Sequence, residues 1–284
     1  MLKPIHLLVT LDEGYVYPLK VMLLSLFENN PDEEIKVWLV HAGISVSSLT
    51  SISRLVNRLG GTFEPCLIED TFFDSAPVVE RYPKEMYFRL LAGQILPEEL
   101  ERVLYIDPDT LIINPLTNLW EMDLQGYMFG AAVHKGITNL TTGINNIRLG
   151  TKHGYYNSGI MLIDLQQARQ KIHLADIEYV IQESGHYLML PDQDILNFLY
   201  GEDILEIPEE KWNYDTRKFK AYYARSLTKI DLHWVMENTH ILHFCGRPKP
   251  WEKESDGRFV ALYHHYEQRL HRYNNKMDRG ENNG

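Results

Sequence analysis

Four short segments of this chain carry side chains that could bind a metal ion or a phosphate, or move a proton. The first is Asp107-Pro108-Asp109, which directly follows an apolar run. Side chains at positions i and i+2 of an extended segment lie on the same side, so the two carboxylates can converge on one hard divalent cation. The alternative is a solvated acidic turn, since Asp-Pro is common in turns.

The second segment covers residues 243–251 and reads His-Phe-Cys-Gly-Arg-Pro-Lys-Pro-Trp. His243 ends a short apolar run, Gly246 allows close approach to the backbone, and Lys249 supplies a positive charge. These residues fit an anion or metal site, and a histidine with a purely structural role is the alternative. A zinc site through Cys245 is disfavoured because the segment has no second cysteine at ligand spacing.

The third and fourth segments each have a structural explanation beside a functional one. Asp192 is placed to cap a helix that has Gln193 and Asp194 in its first turn, and capping alone would account for this segment. Asn157 begins the sequence Asn-Ser-Gly ahead of an apolar run. This corner either forms a turn or presents Asn157 to a polar ligand.

The elements that must position these segments alternate between strand and helix. Apolar runs predict strands at Ile5–Thr10, Ile35–His41, 63–68, Arg102–Ile106, 128–133, Tyr156–Asp164 and 240–244. Helical spacing predicts helices at 19–27 with Pro18 in the first turn, at 84–91, 193–200 and 259–273, and one that Ser47 caps and Gly60-Gly61 end. We expect a loop near the site at 138–152 and a frayed polar tail at 274–284. The alternation predicts an α/β fold with a mostly parallel sheet that binds ligands at the carboxyl ends of its strands.

Composition excludes several classes of protein. The 284 residues are 44% hydrophobic, so the chain can bury a core, and the net charge of −11 disfavours nucleic acid as a partner. With two cysteines, no disulfide scaffold is expected. The sequence shows no apolar leader and no stretch that could span a membrane, so we expect a cytoplasmic protein.

Taken together and in this order, the four segments resemble glycosyltransferase family 8, which includes bacterial lipopolysaccharide galactosyl- and glucosyltransferases and the glycogenins. Further matches are Asp12 and Tyr15 after the first strand, and Tyr87 and Arg89 on a helix. In this comparison Asp107-Pro108-Asp109 is the D-x-D motif, and residues 243–251 are the signature H-x-x-G-x-x-K-P-W. The resemblance runs from residue 5 to about residue 251, so it covers nearly the whole chain.

The resemblance implies a GT-A fold, which is a Rossmann-like α/β domain with helices on both faces of its sheet. That domain would span residues 1–251, followed by a C-terminal helix and polar tail at 252–284. The implied donor is a UDP-hexose, and the implied ion is Mn²⁺, with Mg²⁺ as the second choice. The implied roles are metal ligation by Asp107, Asp109 and His243; uridine contacts by Asp12 and Tyr15; diphosphate contacts by Gly246 and Lys249; donor-sugar contacts by Arg89, Asp192 and Gln193; and pocket lining by Asn157.

The implied reaction is hexosyl transfer with retention at the anomeric carbon, from UDP-glucose or UDP-galactose to a saccharide or glycan acceptor. Such an enzyme would serve the synthesis of lipopolysaccharide or another surface polysaccharide. We expect catalysis to rest on Asp192, Gln193 and Asn157, and favour same-face attack over double displacement because the amide of Gln193 is a poor nucleophile. One alternative is a catalytically silent UDP-sugar-binding or scaffold protein. A nucleotidyltransferase is disfavoured because residues 11–15 form an acidic loop, unsuited to triphosphate.

Three departures from the family pattern bear on specificity. Gly14 stands where many members have Asn before the tyrosine, so one uridine or ribose contact differs. His134 stands where lipopolysaccharide galactosyltransferases have Asp, on the acceptor side, so a lactose-type acceptor is not expected. The basic residues after position 268 are diluted by Asn and Glu, which predicts at most a weak contact with the inner face of the membrane.

Overall fold

Two β-sheets and a set of helices make up the fold in a computed structural model that describes residues 4–68, 85–133, 148–184 and 188–281. The strands are β1 Ile5–Thr10, β2 Ile35–His41, β3 Thr62–Leu67, β4 Arg102–Ile106, β5 Thr110–Ile112, β6 Phe129–Val133, β7 Tyr156–Asp164, β8 Ile204–Ile207, β9 Tyr214–Asp215 and β10 Ile241–His243. The helices are α1 Val16–Asn29, α2 Val46–Arg58, α3 Glu85–Phe88, α4 Ala92–Ile95, α5 Thr117–Trp120, α6 Leu165–Lys171, α7 Leu174–Ser184, α8 Pro191–Tyr200, α9 Glu209–Trp212, α10 Phe219–Arg225, α11 Leu232–Asn238 and α12 Val260–Glu281.

The larger sheet has seven strands in the order β3-β2-β1-β4-β7-β6-β8. Pairings among β1, β2, β3 and β4 are parallel, as is the pairing of β6 with β8. Strand β7 is antiparallel to both of its neighbours, β4 and β6. The prediction of a mostly parallel sheet is therefore confirmed, with one reversed strand, β7, between β4 and β6.

Both faces of this sheet are buried under helices. Along β4, Val103 and Tyr105 pack on the face covered by α6, α7 and α8, while Leu104 and Ile106 pack on the face covered by α1 and α2. This alternation follows from the two-residue period of a strand. It explains why the strands read as continuous apolar runs and not as an alternating pattern.

The smaller sheet has the order β5-β10-β9, with β10 antiparallel to β5 and parallel to β9. Beside it, helix α12 packs against α1, where Tyr263 and Leu270 are buried with Val21 and Leu24. The helix continues to Glu281, so the predicted helix end at residue 273 is wrong, and the fraying of the tail stays a prediction. The division of the chain at residue 251 stays a prediction.

Helix starts account for further differences from the sequence-based expectations. Helix α2 begins at Val46 and is capped by Ser45, whose Oγ accepts from the backbone N–H of Ser48 (3.2 Å), so the assignment of Ser47 as the cap is wrong. Ser45, Ser47 and Ser48 lie close together here, and the local sequence does not show which of them is the cap. The helix predicted at 84–91 is the short α3 followed by a turn, with residue 84 outside the described residues. His134 and residues 138–147 also lie outside them.

Within the described ranges, no helix combines the length and the apolar character that crossing a bilayer requires.

Candidate active site

Three segments meet at the edge of the larger sheet where its parallel strands end. Because β7 runs in the opposite direction, it begins at this edge, and Ile160 pairs with Ile106 at the end of β4. The Asp107 N–H donates to the Gly159 carbonyl (2.8 Å). From the smaller sheet, the Phe244 N–H donates to the Asp109 carbonyl (3.0 Å), which holds the end of β10 at the same place.

Asp107, Asp109 and His243 form a cluster in which one ligand atom from each lies within 4.8 Å of the others. His243 Nε2 lies 3.4 Å from Asp109 Oδ1 and 3.9 Å from Asp107 Oδ2. Asp109 and His243 are buried, while Asp107 is partly exposed. Two carboxylate oxygens and one imidazole nitrogen on a partly open cluster are a donor set suited to a divalent first-row metal ion.

Gly159 forms one wall of this cluster, a role that the sequence analysis missed. A Cβ atom at this position would lie 2.5 Å from His243 Cε1 and 2.7 Å from Asp107 Oδ2. Only a residue without a side chain leaves that space open. The available signal was a glycine at the fourth position of a strand, since glycine inside a strand often marks a close approach.

Two cations offset the negative charge of the cluster. Lys249 Nζ donates to Asp109 Oδ2 and to the Phe244 carbonyl (3.0 Å). Arg89 Nη1 lies 3.0 Å from Asp107 Oδ1 and 3.2 Å from Asp192 Oδ2, and its guanidinium lies over the Tyr105 ring. Arg89 therefore joins two carboxylates of the site, beyond the sugar contact implied by the resemblance.

The two aspartates of the cluster titrate differently. Burial raises the pKa of Asp107 despite the nearby Arg89. Burial would also raise the pKa of Asp109, but His243 and Lys249 beside it hold that pKa well below its usual range. Asp109 is thus the more firmly ionised of the two candidate ligands.

Asp192 faces this cluster from the start of α8. The helix begins at Pro191, and Asp192 caps nothing, so the expected N-cap role is wrong. Its Oδ2 accepts from the Ser158 hydroxyl (2.9 Å) besides pairing with Arg89. With Pro191 at its first position, the helix starts two residues earlier than the expected start at residue 193, so Asp192 lies inside the first turn and its side chain turns inward.

Asp194 has the structural role that was expected of the whole segment. It is fully buried and accepts from both terminal nitrogens of Arg148 (2.6 and 2.8 Å) and from the Tyr155 hydroxyl (2.6 Å). It also accepts from the backbone N–H groups of Met189 (2.7 Å) and Leu190 (3.2 Å). Asp194 therefore anchors the start of α8 and orients Asp192 and Gln193.

A row of buried amide side chains runs from His243 to Gln193. Asn157 Oδ1 accepts from the Gly159 N–H (2.9 Å) and from Asn213 Nδ2 (2.7 Å), and Asn157 Nδ2 donates to Gln193 Oε1 (3.0 Å). Asn213 Oδ1 lies 2.8 Å from His243 Nδ1. Asn213 was not predicted from the sequence, where it follows α9 as an isolated polar residue between Trp212 and Tyr214.

The remaining predicted residues lie around this centre. Asp12 is exposed, and its Oδ1 accepts from the Gly14 N–H (2.8 Å), so its carboxylate caps the turn after β1. The Tyr15 ring meets the Trp251 ring edge-on, with centroids 5.8 Å apart. Gly246 has a positive φ of 72°, and a Cβ there would lie 2.3 Å from Arg217 Nη1.

The sequence and the fold were compared with those of known proteins. A family model described as "Glycosyl transferase family 8" matches residues 6–255. General stress protein A of Bacillus subtilis is 27% identical over 267 residues, which cover 92% of this chain and 92% of that protein. The lipopolysaccharide 1,2-glucosyltransferase of Escherichia coli K12 is 26% identical over 250 residues, which cover 85% of this chain and 71% of that protein.

Among solved structures, the galactosyltransferase LgtC in complex with donor and acceptor sugar analogues has a similar fold. The TM-score is 0.78 at 21% sequence identity, and the match covers 92% of this chain and 95% of that one. This similarity confirms the predicted GT-A fold.

Proposed function

Because this chain belongs to glycosyltransferase family 8, we propose that it is a retaining, metal-dependent hexosyltransferase that uses a UDP-sugar donor. The transferred sugar is glucose or galactose, of which we favour glucose, and the acceptor is a saccharide or glycan. The observation that carries this proposal is the cluster of Asp107, Asp109 and His243 beside Gly159, with Lys249 and Arg89 next to it.

Asp107, Asp109 and His243 would hold Mn²⁺, with Mg²⁺ as the alternative. The fit rests on the donor set and on the space that Gly159 leaves open. When bound, the ion would act as a Lewis acid that stabilises the negative charge of the departing diphosphate. An acidic protein with net charge −11 needs such a local positive centre to bind an anionic donor.

The diphosphate would lie between the cluster and the segment after β10. Lys249 is buried and already placed beside Asp109, so its ammonium group can stabilise charge on the leaving group. Gly246 offers backbone that a phosphate can approach closely. Tyr15, held against Trp251, would stack on the uracil ring, and Asp12 would contact the uridine.

The sugar would lie toward α8 and the start of β7. Asp192 can accept hydrogen bonds from sugar hydroxyls and stabilise positive charge at the anomeric centre. Asn157 and Gln193 line the same side of the site. We propose same-face attack by the acceptor hydroxyl, whose proton passes to the departing phosphate oxygen, because Gln193 offers no carboxylate for a covalent intermediate.

The acceptor belongs, in this proposal, to a surface polysaccharide or to a glycan of the lipopolysaccharide type. The enzyme would act in the cytoplasm, with at most a weak contact at the inner face of the membrane. A silent UDP-sugar-binding protein is the second candidate function. Silence is disfavoured because the sequence keeps Asp107, Asp109, His243 and Lys249 together.

The proposal is tested by incubating the protein with a panel of UDP-sugars and Mn²⁺ and measuring released UDP. We expect release from UDP-glucose or UDP-galactose, its loss when a chelator removes the ion, and its recovery when Mn²⁺ is restored. The double variant Asp107→Asn/Asp109→Asn is the inactive control. Tight binding of UDP-sugars without UDP release, even with a mixture of glycan acceptors, would favour the silent binding protein.

Retention is measured separately. NMR of the transferred sugar gives its anomeric configuration, and we expect the α-configuration of the donor. A β-linked product would contradict same-face attack.

A further inference from the structure

In the row of amide side chains between His243 and Gln193, one backbone N–H determines which atoms donate hydrogen bonds and which accept them. The Gly159 N–H can only donate, and it donates to Asn157 (2.9 Å), so the atom of Asn157 that it meets must be the carbonyl oxygen Oδ1. Asn213 contacts the same oxygen, so Asn213 must present its NH₂ group there (2.7 Å). This assignment leaves Oδ1 of Asn213 as the atom that faces His243.

The orientation of Asn213 also determines which ring nitrogen of His243 donates a hydrogen bond to it. Since Asn213 offers an acceptor at 2.8 Å, His243 Nδ1 must carry a hydrogen and donate it. Nε2 is then the nitrogen that faces Asp107 and Asp109, and it can ligate an ion through its lone pair once it carries no proton. A metal-ligating histidine needs this arrangement, because its second ring nitrogen donates to a neighbour that holds the ring in place.

At the Gln193 end of the row, the orientation of Asn157 determines which amide atom of Gln193 is left to face a ligand. Asn157 Nδ2 donates to Gln193 Oε1 (3.0 Å), so the carbonyl oxygen of Gln193 is engaged inside the protein. Its Nε2 is buried with no partner in good hydrogen-bond geometry among the described residues, and the Tyr155 hydroxyl beside it could take at most one of its two hydrogens. A buried donor without a partner is costly unless a ligand accepts from it.

We propose that Asn213 is a positioning residue that joins the metal end of the site to its sugar end. It holds His243 with Nε2 toward the metal, and through Asn157 it turns Gln193 so that this residue presents an N–H donor, not its carbonyl oxygen, to the donor sugar. The inference rests on the proposed function above. Asn213 suits this role because it is 3% exposed and its own N–H is held by the Glu209 carbonyl (3.0 Å).

Two substitutions separate the two halves of this role. In Asn213→Asp, one carboxylate oxygen still accepts from His243. The other oxygen replaces the NH₂ group and has no hydrogen to donate to Asn157. We expect Mn²⁺ affinity within about threefold of wild type or tighter, and kcat at least about tenfold lower, with UDP affinity unchanged. In Asn213→Leu, which has no polar atom, Mn²⁺ affinity should also fall by about 10–100-fold, the range for groups that support metal ligands.

Asn30→Asp is the matched control. Asn30 is as buried as Asn213 (2% exposed) and also uses both amide atoms, on the Leu116 N–H (2.7 Å) and the Leu26 carbonyl (2.8 Å), but it lies outside the site. This variant should lose thermal stability and keep both Mn²⁺ affinity and kcat. An equal loss of kcat in Asn30→Asp and Asn213→Asp would show that Asn213 acts only through general stability.

Metal affinity is measured by titration calorimetry and does not depend on turnover. A kcat in Asn213→Asp equal to that of wild type would overturn the connection to Gln193. A Mn²⁺ affinity in Asn213→Leu equal to that of wild type would overturn the connection to His243. If Asn213→Leu does not fold, ¹⁵N NMR of the wild-type histidines with Mg²⁺ decides. Protonated Nδ1 on His243 supports the proposal, and protonated Nε2 overturns it. Failure of the wild type to bind Mn²⁺ or release UDP would instead count against the proposed function.

Discussion

Gly159 shows how a residue with no chemistry of its own can determine whether a metal site exists. It lies where β7 passes closest to His243 and Asp107, and the space beside it is the space that an ion would share with those ligands. The neighbouring Asn157 accepts a hydrogen bond from Asn213, and Ser158 donates one to Asp192. The start of β7 therefore supports both the proposed metal ligands and the proposed sugar contacts.

Substitution of Gly159 by alanine should weaken metal binding while the protein remains folded. The methyl group would lie inside contact distance of His243 and Asp107, so the ligands must move apart, and overpacking of this kind costs about 1–3 kcal/mol of stability. We expect Mn²⁺ affinity to fall at least about tenfold by calorimetry. Gly43→Ala is the control, because a Cβ at Gly43 meets nothing within 4 Å. Unchanged Mn²⁺ affinity in Gly159→Ala would move the metal site elsewhere.

Asp192→Asn tests the sugar end without touching the metal ligands. Asparagine keeps an oxygen for the Ser158 hydroxyl but loses the charge that faces Arg89 and, in our proposal, the anomeric centre. We expect turnover to fall at least about tenfold, which is on the order of 1.4 kcal/mol of barrier. UDP affinity should change little, since UDP would lie on the metal side. Steady-state kinetics and UDP titration check both, and normal turnover with weakened UDP binding would contradict this placement.

At the scale of elements, most strands could be predicted and most contacts between them could not. Strands buried on both faces appear as apolar runs, and β1, β2, β4 and β7 were predicted at their observed bounds. The reversed direction of β7 has no local signature, because an apolar run reads the same in both directions. That direction is what brings Asn157, Ser158 and Gly159 to the carboxyl end of β4.

The candidate site was predictable where it follows a motif. Asp107, Asp109, His243 and Lys249 stand in patterned segments, and the structure brings them together. Asn213 stands alone in sequence, and Gly159 belongs to a patterned segment that does not show its role. The contacts of Asn213 and Gly159 come from a residue 56 positions away and from another sheet. The N-cap predicted at Asp192 was wrong because the helix begins at Pro191, and the buried anchoring role of Asp194 was not predicted.

The anchoring of α8 by Asp194 gives a pH-dependent contribution to stability. Burial alone would raise the pKa of Asp194, but its hydrogen bonds from Arg148, Tyr155 and two backbone N–H groups lower it. A carboxyl whose pKa is lower in the folded state stabilises the protein above its unfolded-state value, about 3.9, and loses that contribution as pH falls below it. The contribution is therefore complete at neutral pH.

Asp194→Asn should reduce the free energy of unfolding by about 2 kcal/mol at pH 7, after allowance for the partly exposed Arg148. The difference from wild type should shrink as pH falls below about 4, because the carboxyl of the unfolded wild-type chain then binds a proton while the folded state still holds it ionised. Urea unfolding at several pH values measures it. Asp32→Asn, in an exposed turn, is the control. A difference that stays constant from pH 7 to pH 3 would assign the effect to packing and not to charge.

At the scale of the whole molecule, the last helix supports the opposite end of the chain. Tyr263 of α12 packs against Trp251 (centroids 5.7 Å apart), and Trp251 meets Tyr15. Tyr15 is the residue that we propose stacks on uracil. The C-terminal helix therefore reaches the nucleotide end of the site through one tryptophan.

Tyr263→Ala should weaken UDP binding several-fold as well as destabilise the fold by about 3–5 kcal/mol, the range for large aromatic residues in a core. Leu270→Ala is the matched control, because Leu270 is equally buried in α12. It should cost about 2–5 kcal/mol and leave UDP affinity unchanged. Thermal unfolding and UDP titration measure the two effects, and equal UDP affinity in both variants would show that Trp251 needs no support from Tyr263.

The pairing of β10 with β5 has a consequence for the order in which the protein becomes functional during synthesis. Lys249 and Asp109 are 140 residues apart, and the strand that brings His243 to the cluster pairs only with the short strands β5 and β9 among those described. Contacts this distant in sequence form late, because the entropy of closing the long loop is lost before the contacts compensate for it. A ribosome-bound chain could therefore complete most of the larger sheet and still lack the ion's third ligand. Ion uptake would mark the end of folding, so an unfinished enzyme would not consume its donor.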